Sequence, residues 1–140
     1  MDTFQIIATL SLVIQLVVLG LLFGGVWLKA MNRFRQHGTI MTTALVLHLI
    51  TIFSWMIWSF ISFLSAGSVD YGNLLVLVIL AHVTFGIIAA SLGVWLVASW
   101  HLQTHVQKCF GRKRIMLTTI VLWSVSILLG IVLYVAIVFS

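Results

Sequence analysis

Proline is absent from this chain of 140 residues, and only two of its side chains, Asp2 and Asp70, are carboxylates. Charged residues make up 6% of the sequence, against about 25% in a soluble domain. With 63% hydrophobic residues, there is too little polar surface to cover a globule in water, so lipid must be the solvent. A single cysteine, Cys109, excludes an intramolecular disulfide and reads as a free, reduced thiol in a basic loop. The acids lie outside the apolar runs. That argues against a carrier driven by intramembrane carboxylates, against hard-metal sites, which need oxygen ligands, and against a serine–histidine–acid triad. The cysteine also lies outside them, which argues against a thiolate metal site.

What is present is apolar length. Four runs stand out, roughly Phe4 to Leu28, Thr39 to Leu64, Leu74 to Trp100 and Ile115 to Phe139. Each has the ~20 residues needed to cross ~30 Å of hydrocarbon as a helix. A backbone in lipid must satisfy its own hydrogen bonds, so helices are expected over about 4–28, 39–64, 74–100 and 115–139. The first run is too long for a signal peptide and lacks a basic start, so it reads as a retained span. The fold class expected is an all-α membrane protein, with residues 1–140 forming one antiparallel bundle of four transmembrane helices.

All seven basic residues fall in two connections. "KAMNRFRQHG" holds Lys29, Arg33 and Arg35, and "HLQTHVQKCFGRKR" holds Lys108, Arg112, Lys113 and Arg114. The third connection, "SAGSVDYGN", has none and carries Asp70. The positive-inside rule places both basic loops in the cytoplasm and both termini outside. The net charge of +5 then answers to anionic headgroups rather than to nucleic acid. A short repeat supports two tandem hairpins: "IMTTALVL" (40–47) echoes "IMLTTIVL" (115–122). In that register Trp123 takes the place of His48, and Arg112 that of His37.

Five histidines remain to be explained. His37, His101 and His105 fall at or near the inner surface, where the plain expectation is a solvated imidazole. His48 and His82 sit well inside apolar runs, where ionisable groups are rare and face the bundle interior. Each could be a neutral imidazole bonded to a hydroxyl, a haem or metal ligand, or a proton-transfer group. Their surroundings favour a site. His37 and His48, eleven residues apart, share a helix face, and Trp55, Ser59 and Ser62 continue it. Gly86 and Gly93 share the face of His82. The last helix offers Thr119, Trp123, Ser126, Gly130 and Tyr134, and the first offers Ser11, Gln15 and a Gly20–Gly24 pair read as ordinary packing. Imidazoles on facing helices suit b-type haem iron, and also copper. Counting along the helices puts His48 and His82 about 11 Å apart in height, which is awkward for two ligands of one iron. A second possible pair is His37 with His101 or His105.

The segments "FRQHGTIMTTALVLHL", "LAHVTFGIIAASLGVWLVASW" and "CFGRKRIMLTTIVLWSVSILLGIVLY" together resemble the YozB/CtaM-like family of small four-helix prokaryotic membrane proteins. His37, His82, and Lys113 with Arg114 match the family pattern. The chain departs from it in having His48 in mid-helix, His105 early in the loop, and no proline. The resemblance implies a place in respiratory or redox membrane biology, in the plasma membrane of a prokaryote. The expected function is a haem b-binding electron-transfer protein or redox subunit, serving a quinol or neighbouring membrane subunits, and not an enzyme on its own. The alternatives are a cofactor-free accessory subunit of a membrane oxidoreductase or monooxygenase, and an assembly factor handling haem or copper for an oxidase.

Overall fold

The computed structural model describes residues 2–67, 69–101 and 112–139, with the side chain of residue 101 left aside. The described chain is all-helical. It comprises α1 (Thr3–Ala30), α2 (Phe34–Thr51), a π-helical turn (Ile52–Met56), α3 (Ile57–Ser65), α4 (Leu74–His101) and α5 (Lys113–Val138). Four helical stretches are long and apolar enough to cross a membrane: Thr3–Ala30, Phe34–Ser65, Leu74–Trp100 and Lys113–Val138. The expected spans at 4–28, 39–64, 74–100 and 115–139 fall inside or within a residue of these. The second begins five residues earlier than expected: "FRQHG" has no proline, and its one weak helix former, Gly38, lies inside α2 with the Trp100 ring packed against it.

The helices pack as two hairpins. α1 lies chiefly against α2, and α4 against α5, with α1 also touching α5 and α2 touching α4. The turn joining α1 to α2 is only three residues long. Asn32 adopts a left-handed φ of 60°. Its N–H bonds to Lys29 O at 3.0 Å, and Arg33 N–H bonds to Leu28 O at 2.9 Å. This Schellman pattern satisfies the last carbonyls of α1 and turns the chain back at once. At the other end Asn73 caps α4, its side-chain oxygen accepting from Leu75 N–H at 3.0 Å.

The core is a column through mid-bundle: Val18, Leu22, Ala44, Leu45, Ala89, Trp123 and Ile127. Ala44 and Ala89 are fully buried and let the helix backbones approach closely around the Trp123 indole. Large apolar side chains such as Phe23, Trp27, Ile87 and Leu128 point outward, as lipid allows. The Gly20–Gly24 pair does not pack within the bundle: a Cβ at either would meet nothing within 4 Å. Close approach occurs instead at the next residue, Gly25, where the Met41 Cε would lie 2.7 Å from an added Cβ.

The π turn divides the second span. Ile57 N–H bonds five residues back to Ile52 O, and the Trp58 indole N–H bonds to Phe53 O at 3.1 Å. The extra residue in the turn re-aims everything after it. α2 buries His37, Ala44, Leu45, His48 and Thr51, whereas α3 buries nothing.

Candidate functional site

The departure of α3 from the core leaves a cavity of about 630 Å³ at the Asp70 end of the bundle. This is the size range of small-molecule and cofactor sites. Its inner boundary carries Gln15, His48, His82, Gly86 and Ser126. Ser11, Trp55, Ser59, Ser62 and Tyr134 continue the lining toward the surface. Thus the histidines of two different hairpins meet one space.

Each imidazole is held by a carbonyl oxygen. His48 Nδ1 lies 3.1 Å from Gln15 Oε1, and His82 Nδ1 lies 2.7 Å from Ser126 O. A carbonyl oxygen can only accept, so Nδ1 carries the proton and Nε2 the lone pair in both rings. The Ser126 hydroxyl donates back to His82 O at 3.1 Å, which ties α4 to α5 at this level. His48 also packs against Trp123, ring centroids 5.0 Å apart. In the 75-residue repeat these two positions are equivalent, and they face each other at the centre of the bundle.

His48 is 3% exposed and its Nε2 has no hydrogen-bond partner. The amide nitrogen of Gln15 and the indole nitrogen of Trp123 are likewise buried and unpartnered. Such orphaned groups are rare in a settled interior, where each costs about 1–3 kcal/mol, and they cluster here within one layer. Imidazoles with Nδ1 anchored on an oxygen and Nε2 free are in the state that metal ligation requires.

Contacts between α2 and α4 preserve the height difference expected from residue counting. Leu45 meets Gly93 and Gly38 meets the Trp100 ring, which sets His48 level with about residue 90, eight residues or about 12 Å along the axis from His82. The side chains close part of that gap: the His48 ring packs on Trp123, while His82 reaches Ser126 O and stands against Gly130.

His37 also departs from expectation. It is 6% exposed, not solvated, and its Nδ1 lies 2.6 Å from Gly25 O. It lines a separate cavity of about 100 Å³ at the basic end, with Met41, Trp100, Arg112, Met116 and Trp123. The Arg112 guanidinium sits over the Trp95 ring, 4.8 Å from its centroid. His105 and the side chain of His101 lie outside the described residues, and with them any pairing with His37. Among the described residues no three histidine, cysteine, aspartate or glutamate side chains converge on a point.

Gln15 was visible in the sequence as a polar residue in mid-span, but its partner was not. The carbonyls of Gly25 and Ser126 carry no sequence signal. No family model, curated protein or solved structure matches the chain.

Proposed function

We propose that this is a membrane-embedded electron-transfer protein or redox subunit that binds one b-type haem in the larger cavity, through Nε2 of His48 and of His82. One observation carries the reading: two imidazoles from separate hairpins line one apolar cavity, each with Nδ1 fixed on an oxygen and Nε2 carrying the lone pair. Haem would supply reversible one-electron chemistry. The chain's own contribution is to hold both rings in one tautomer and to keep water from the site with Leu12, Ile52 and Ile127. Glycines at 86 and 130 leave room beside them: a Cβ at Gly130 would lie 3.0 Å from His82 Cε1. Copper is the alternative occupant of the same nitrogens, which would fit an assembly role for a haem–copper oxidase. The charge pattern supports cytoplasmic basic loops, and the resemblance to YozB/CtaM-like proteins supports a prokaryotic plasma membrane with quinol or other redox subunits as partners.

The test is a dithionite-reduced minus oxidised spectrum of the purified protein, with pyridine haemochrome quantitation. A b-type α-band near one haem per chain is expected, lost in His48→Ala and in His82→Ala. Protein extracted gently with its native partners and devoid of haem would overturn the reading. A second reading, a cofactor-free accessory subunit, draws on α3, whose Trp58, Ile61 and Leu64 are exposed and available to a neighbouring subunit. Stoichiometric copurification without haem would favour it.

A further inference from the structure

The smaller cavity brings together a different set of atoms. His37 and Met41 stand one turn apart on α2, and both pack on Gly25: the imidazole Nδ1 on its carbonyl, and the Met41 Sδ 3.3 Å from where a Cβ would stand. Glycine there clears the space that the thioether occupies. The bond to Gly25 O leaves the lone pair on His37 Nε2. Met116, in the first turn of α5, lines the same cavity from across the bundle, and Trp100 closes it with its six-membered ring against Gly38.

We propose that this cavity is a binding site for a soft monovalent metal ion, Cu(I), held by the imidazole of His37 and the thioethers of Met41 and Met116. The site uses neither His48 nor His82 and does not rest on the haem reading. Thioethers select Cu(I) among biological metals, and imidazole suits it. Calcium and magnesium need oxygen donors, and zinc takes nitrogen, thiolate and carboxylate rather than thioether. A cavity of about 100 Å³ admits an ion with a little water but no porphyrin. Local charge also selects for low valence. Lys29 lies close enough to His37 to act on it electrostatically, and Arg112 lines the cavity. Both repel a divalent ion twice as strongly as a monovalent one. Arg112 is partly drawn aside, its guanidinium lying over the Trp95 ring.

The experiment uses the 140-residue chain in detergent, carrying Cys109→Ser to remove its one thiol. It is titrated with Cu(I) against a chromophoric cuprous chelator, and the complex is examined by copper K-edge X-ray absorption. One Cu(I) per chain with mixed sulfur and nitrogen scattering is expected. Affinity should fall about tenfold or more in Met41→Leu and in Met116→Leu, substitutions that nearly conserve volume. Helicity and thermal unfolding without metal establish that the variants are folded. Cu(I) uptake unchanged in the double methionine variant, or absent from folded Cys109→Ser protein, overturns the site. Haem content of the same samples reports separately on the larger cavity.

Discussion

The two halves of the second span belong to one continuous helical stretch and behave differently. α2 is gripped by α1 along its whole length, with His37 on Gly25 O, Met41 over Gly25 and His48 on Gln15. α3 continues the same apolar run, yet no residue of it is buried. Five residues of π helix separate the two. One half spends its polar groups on fixing the bundle, and the other gives up packing to leave space. Apolar character alone therefore does not decide which part of a span becomes core. In lipid the outward alternative costs little, and specific hydrogen bonds and small-residue contacts make the choice.

Removing the π turn should have the largest effect. Deleting Ser54 takes out the extra residue and rotates α3 by about 100° relative to α2, which turns Ser59 and Phe63 off the cavity. Retention of the proposed haem through gel filtration should fall about tenfold or more, since the cavity loses a wall while both imidazoles stay. Retention equal to that of the unaltered protein would show that α3 plays no part in the site. Next comes a pair of truncations, one in each region. Leu22→Ala, at 1% exposure in the core, should cost about 2–4 kcal/mol. Ile61→Ala, at 49% exposure on α3, should cost under about 0.5 kcal/mol. Unfolding in mixed detergent compares them directly, and equal losses would dissolve the contrast. An effect as small as that of Ile61→Ala is expected where α1 and α5 meet at the outer part of the cavity lining. Tyr134→Phe removes a 2.8 Å hydrogen bond to Thr9 and should cost about 0.6 kcal/mol, with haem content unchanged.

Much of the scaffold was written in the apolar runs, because span length is set by membrane thickness rather than by any partner. The third run was read from Leu74 to within one residue of the helix end, and His48 and His82 stood out as imidazoles where lipid should be. The π turn was not legible. "IFSWM" has neither proline nor glycine, and a one-residue excess in hydrogen-bond register leaves no mark on composition. The burial of His37 was not legible either. Its neighbours in sequence are polar, but its neighbour in space is the backbone of Gly25, delivered by a turn whose tightness depends on Asn32. The Gly20–Gly24 pair shows the same limit: the motif was present and the contact formed one residue later.

That Asn32 turn bears on how the protein enters its membrane. A three-residue reversal leaves too little chain between α1 and α2 for the two helices to take independent orientations. α1 and α2 are joined at their basic ends, where Lys29, Arg33 and Arg35 fall within one short connection. Orientation is then settled for both helices at once, and reversing either would mean dragging three cations and the hairpin's polar turn through hydrocarbon. For its first half, the chain has one topological decision to make instead of two.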